Sequence, residues 1–87
     1  MKSDFFKYQA QTTPHPLAME ISHAKGSYIF DSNNKPYLDF VAGVSACPLG
    51  HNHPKVIHAI KSQLDSSMHV MVYGEYIQKP AVELTRL

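Results

Sequence analysis

The chain has 87 residues, 44% of them apolar, and its eight basic and seven acidic side chains leave a formal net charge of +1. That length allows one small domain, and that apolar share argues against disorder. The charge balance, with lysines scattered and no basic run, gives no electrostatic basis for a nucleic-acid or anionic-membrane partner. Cys47 is the only cysteine, so an internal disulfide is excluded and a reducing compartment fits. The N-terminal residues 1–7 lack the apolar core of a signal peptide, and no apolar run approaches the roughly 18 residues of a membrane-spanning helix. A soluble, cytoplasmic protein is the expectation.

Residues 1–16 read as a short helix and an arm. Ser3 is placed to cap a helix carrying Phe5, Phe6 and Tyr8, and Pro14 and Pro16 bias the residues before them toward extended backbone. A helix of about two turns is marginal alone, so the three aromatics are expected to anchor it. From Leu17 the pattern alternates. Leu17, Met19 and Ile21 face one way and Ala18, Glu20 and Ser22 the other, which predicts a half-buried strand. Gly26 breaks it, Tyr28-Ile29-Phe30 is a second strand, and Asp31-Ser32-Asn33-Asn34-Lys35 supplies turn chemistry. Residues 36–40 return as a third strand, with Pro36 at its start where a lost donor is tolerated. Three antiparallel strands are the simplest assembly.

Residues 41–49 are small and apolar, a connection that something packs on or sits beside. Pro54 opens the main helix, because its missing N–H would be unpaired there anyway. Val56, Ile57, Ile60, Leu64 and Met68 recur at helical spacing. Residues 69–76 read as extended or irregular with a turn at Gly74, and Pro80 opens a last helix by the same rule. Ala81, Val82, Leu84 and Leu87 enter that helix without a C-terminal cap, so the sequence reads as the front of a larger protein.

The candidate chemistry is thin. Cys47, His51, His53 and His58 invite a metal reading, Cys47 with His51 as one pair and His53 with His58 as the other, but Pro54 puts His53 at the helix start and His58 on its second turn, and the spacing is poor for zinc. The bland reading has His51 and His53 satisfying backbone groups at a buried turn, with His58 an ordinary helix residue. Asp31 and Asp39 flank a turn, where closing it or pairing with Lys35 is the better expectation than acid–base work. Ser45 lacks the strained elbow of a nucleophilic serine. Cys47, next to Pro48 in an apolar run, reads as an inert thiol. Met71, Tyr73 and Tyr76 near Gly74 read as an interface cluster ahead of a ligand pocket.

Taken in order, Gly26-x-Tyr28-x-x-Asp31, Tyr37-Leu38-Asp39-Phe40-x-Ala42-Gly43 and Leu49-Gly50-His51-x-His53-Pro54-x-Val56-x-x-Ala59-Ile60-x-x-Gln63 resemble one family. From about Leu17 to Leu87 the chain is similar to the N-terminal segment of class III aminotransferases of the acetylornithine/ornithine type, fold-type I enzymes that use pyridoxal 5'-phosphate. The family commonly has Asp-Gly at the hairpin turn where this chain has Asn33-Asn34, and Cys47-Pro48 replaces a commoner pair.

The resemblance implies an α+β segment: a short N-terminal helix, a three-stranded antiparallel sheet, then helices. Residues 17–87 would be the N-terminal part of the small domain, truncated before the cofactor-binding large domain. Val44 and Ser45 would run beside the substrate pocket, Val44 as a specificity position. The implied parent moves an amino group between an amino acid or ω-amino donor and a keto acid or aldehyde, as a homodimer. The family's Schiff-base lysine, ring-nitrogen aspartate and phosphate loop match nothing here. No catalytic, cofactor-binding or metal residue is therefore expected in this segment, and alone it should be inert. The alternative is a free-standing small binding module, metal-binding through Cys47, His51, His53 and His58.

Overall fold

The computed structural model describes residues 1–71 and 73–87. The chain divides into two units, Met1–Pro54 and Lys55–Leu87. The first holds α1 (Lys2–Tyr8), β1 (Ile21–Lys25), β2 (Tyr28–Asp31), β3 (Pro36–Leu38) and a four-residue helical turn, α2 (Ala42–Ser45). α3 (Pro54–Ser66) begins at the boundary and, with α4 (Lys79–Thr85), makes up the helices of the second. This is the expected α+β order of helix, antiparallel sheet and helices.

The sheet is an antiparallel meander in the order β1-β2-β3. Two residues join β1 to β2, because Lys25 pairs with Tyr28. Gly26 takes the first of the two positions at φ 59, a left-handed state that glycine reaches without a Cβ penalty. The β2–β3 loop is tighter than its polar composition suggests. Asp31 Oδ1 accepts the N–H groups of Asn33 and Lys35 at 2.9 Å each, and Asn34 sits at φ 63, the conformation asparagine tolerates. His23 stacks on Phe30 across β1 and β2 with ring centroids 4.4 Å apart.

Two strand expectations are corrected at their ends. β1 starts at Ile21, not Leu17. The Ser32 N–H still donates to the Glu20 carbonyl at 3.0 Å, but beyond it the neighbouring segment turns away into the β2–β3 loop, Ala18 adopts φ 46 and Leu17 is 89% exposed, so the period-2 pattern of residues 17–19 forms no ladder. β3 ends at Leu38; Asp39 still gives its N–H to the Ser27 carbonyl at 2.8 Å, in the register of the β2–β3 ladder, and its carboxylate then takes the N–H groups of the next turn. α1 likewise starts at Lys2 with no side-chain cap from Ser3.

In the second unit Pro54 is the first residue of α3. Pro80 is the second of α4, after Lys79, still among the N–H groups that have no intrahelical partner. The expected irregular stretch 69–76 carries no regular element at its described positions, and Val72 lies outside them. Tyr73 and Tyr76 are exposed. The apolar stripe of α3 stands largely uncovered: Val56, Ile60 and Leu64 are exposed and Ile57 is half-buried, while Met68, expected to extend the stripe, lies beyond the helix end at Ser66.

Among the described residues no side chain is buried. Among those residues hydrogen-bonded structure is present and an apolar core is not.

Candidate functional site

A well-covered polar contact lies where the sheet meets the glycine corner. Gly50 at φ 88 turns the chain so that His51 meets the β1–β2 hairpin tip. There the Gly26 N–H donates to the His51 carbonyl at 3.0 Å, and the His51 N–H to the Gly26 carbonyl at 2.8 Å. A Cβ at Gly50 would stand 3.2 Å from the Gly26 carbonyl oxygen. Asn52 adds a side-chain bond from Nδ2 to the Ala24 carbonyl at 2.7 Å.

This pairing carries the His51 ring to Asp39 at the end of β3. His51 Nε2 and Asp39 Oδ2 are 2.6 Å apart, and the two side chains are only 18% and 10% exposed. An ionised carboxylate only accepts, so the hydrogen sits on Nε2. The other carboxylate oxygen, Oδ1, accepts the Val41 N–H at 2.8 Å and the Ala42 N–H at 3.2 Å. One carboxylate therefore ties the glycine corner to the start of α2.

α2 is not an ordinary helical turn. Ala42, Gly43, Val44 and Ser45 have φ of 51, 62, 56 and 71, so the turn is left-handed. The left-handed form costs roughly 1–2 kcal/mol for each residue with a Cβ, and a β-branched residue there is a true outlier. Such strain persists only where surrounding contacts over-determine it, and it clusters at functional sites. Here the contacts are Asp39 Oδ1, the Val44 N–H to the Val41 carbonyl at 3.0 Å and the Cys47 N–H to the Ala42 carbonyl at 3.0 Å. Val44, 84% exposed, is presented outward on this turn, with Ser45 beside it.

Both aspartates are held acidic. The His51 hydrogen bond, then the Val41 N–H, lowers the Asp39 pKa below 3.8, against the opposing effect of burial. For Asp31 the main cause is the Lys35 backbone N–H, with burial opposing and Asn33 and the Tyr37 hydroxyl assisting. A carboxyl that is more acidic folded than unfolded stabilises the fold above its ordinary pKa and loses that stabilisation as pH falls through the folded value. Melting temperatures of the intact protein should therefore fall on acidification below about pH 4, and Asp39→Asn should flatten part of that acid limb. An unchanged acid limb in the variant would contradict this role.

Several expectations are revised here. Asp31 closes its turn as foreseen, but Asp39 pairs with His51, not Lys35, whose ammonium lies over the Tyr37 ring at 5.1 Å. His51 satisfies backbone groups through its own backbone, while its ring serves the carboxylate. The metal alternative is not favoured. Among the described residues no three His, Cys, Asp or Glu side chains could hold an ion, so Cys47, His51, His53 and His58 form no such site. No helix among the described residues is long and apolar enough to cross a membrane.

Comparison with known proteins agrees with this segment architecture. The family model "Aminotransferase class-III" matches residues 8–87. An acetylornithine aminotransferase of Bacillus amyloliquefaciens is 50% identical over 66 residues, 75% of this chain and 29% of that protein. The mitochondrial ornithine aminotransferase of Rattus norvegicus is 38% identical over 68 residues, 71% of this chain and 16% of its own length. In three dimensions the chain is similar to an ornithine aminotransferase from Toxoplasma gondii, with a TM-score of 0.73 and 33% identity over 98% of this chain and 21% of that one. The chain belongs to the class III aminotransferases, and it spans less than a third of the length of each of these relatives.

Pyridoxal phosphate, named for the active site of that Toxoplasma enzyme, requires a lysine amine, a carboxylate for the ring nitrogen and a donor cradle for its phosphate. The described residues do not fit it by themselves. Asp31 and Asp39 each use both oxygens on the chain's own groups, and α3 opens at His53-Pro54 without a glycine, serine or threonine cradle.

Proposed function

We propose that this chain is the N-terminal segment of a pyridoxal-phosphate-dependent aminotransferase and that its part in the reaction is to present one wall of the substrate pocket. In this reading residues 17–87 belong to the small domain. The catalytic and cofactor-binding residues lie elsewhere in the parent, which is a cytoplasmic homodimer. The parent moves an amino group from an amino acid or ω-amino donor to a keto acid or aldehyde. The cofactor supplies the electron sink; residues 41–45 supply shape. The observation that carries the reading is the left-handed turn at Ala42–Ser45, which holds an exposed valine in a backbone state valine avoids. Val44 then acts by volume, and Ser45 adds a hydroxyl beside it.

The test is donor preference in the full-length protein. N-acetylornithine, ornithine and 4-aminobutyrate are offered as donors with 2-oxoglutarate as keto acid, for the natural chain, Val44→Ala and Val44→Phe. Pocket contacts of this size discriminate by about 1–3 kcal/mol, so the ratios of kcat/KM between donors should shift about tenfold or more. Identical ratios in all three proteins would remove Val44 from the pocket.

A further inference from the structure

The Asp39–His51 contact does more than close the corner. Val41 and Ala42 give their N–H groups to Oδ1 of Asp39, so the direction in which that oxygen points sets where the left-handed turn begins. The carboxylate is free to swing about its own side-chain bonds unless something holds the other oxygen. His51 Nε2 holds Oδ2 at 2.6 Å. The His51 backbone is itself fixed by two hydrogen bonds to Gly26, 3.0 and 2.8 Å long. A continuous series of bonds thus runs from the hairpin tip through His51 and Asp39 to the turn that carries Val44. In a chain with no buried residue among those described, this pair is nonetheless 82–90% covered, being 18% and 10% exposed.

We propose that His51 is a positioning residue for substrate recognition: it orients Asp39 so that the strained Ala42–Ser45 turn holds Val44 at the pocket wall. The proposal rests on the pocket reading of Val44 given above. It separates His51 from a merely stabilising role by kinetics. A residue needed only for folding lowers the fraction of active protein, which reduces kcat and leaves KM unchanged. A residue that positions a binding surface changes KM and donor preference in the protein that is folded.

The experiment uses the full-length protein, with N-acetylornithine and ornithine as donors and 2-oxoglutarate as acceptor. His51→Leu removes the donor to Oδ2. His51→Gln places an amide N–H where Nε2 stands, and His51→Asn carries the same amide one bond short of it. His51→Leu and His51→Asn are expected to raise the donor KM about tenfold with kcat within about twofold, because small displacements of a binding group carry large penalties. His51→Gln is expected to restore KM to within about threefold of the natural value. His51→Asn keeps the test decisive if the leucine variant does not fold. Equal losses in the Gln and Asn variants, or losses in kcat alone, would overturn the positioning role. Val44→Ala run in parallel separates the two readings. If it shifts donor preference while the His51 variants leave KM unchanged, the positioning role fails and the pocket stands. If it shifts nothing, the pocket reading itself fails.

Discussion

Gly50→Ala is expected to destabilise the full-length protein by about 2–4 kcal/mol, while Gly26→Ala costs about 1 kcal/mol. Both glycines are left-handed, at φ 88 and 59, so backbone strain alone would rank them together. Space separates them. A Cβ at Gly26 meets nothing within 4 Å, whereas at Gly50 it would lie 3.2 Å from the Gly26 oxygen and 3.3 Å from its carbonyl carbon and Cα. Those are backbone atoms, and they are locked to His51 by the paired hydrogen bonds of the corner. Relief requires the two strands of chain to part, which breaks that pair and moves the His51 ring off Asp39. Denaturant midpoints of the two variants check this. Equal shifts would mean that the close approach of the two glycines carries no weight.

The second large effect concerns the 87 residues expressed alone. They are expected to show a broad, sloping thermal melt and strong binding of a hydrophobic dye, with no sharp transition. Cooperative unfolding requires burial to offset a conformational entropy cost of roughly 1–2 kcal/mol per residue ordered. Here no side chain among those described is buried, and Phe40, Val44, Ile77 and Leu84 stand largely open. The apolar faces of α3 and α4 have the composition of a core without its cover. A sharp two-state melt of a soluble monomer would contradict the segment reading and favour a self-sufficient module.

Much of the fold was legible because its signals are local. Pro54 and the spacing Val56, Ile57, Ile60, Leu64 mark α3 by turn chemistry and period, and both hold in the structure. Gly26 and the Asp31–Lys35 turn mark the hairpins, since each needs a particular backbone state that its residues favour. The alternation at Leu17–Ile21 misled because a period-2 pattern records side-chain chemistry and not whether a partner edge exists. The left-handed turn at Ala42–Ser45 was invisible for a different reason: of its four residues only Gly43 favours that hand, and Val44 argues against it. What could be read was that so small a run leaves backbone open to close approach. The Asp39–His51 contact spans 12 positions of sequence and depends on Gly50 folding back onto Gly26, a long-range match that neither residue announces. Glycine at both contact points was the available clue.

A crystal structure of the full-length protein with N-acetylornithine bound tests the central claim most directly. The account predicts Val44 within about 4.5 Å of the donor's carbon skeleton, residues 42–45 still left-handed, and His51 still on Asp39. A donor seated away from this turn, or a turn that relaxes to the right-handed form with the pair broken, would contradict it.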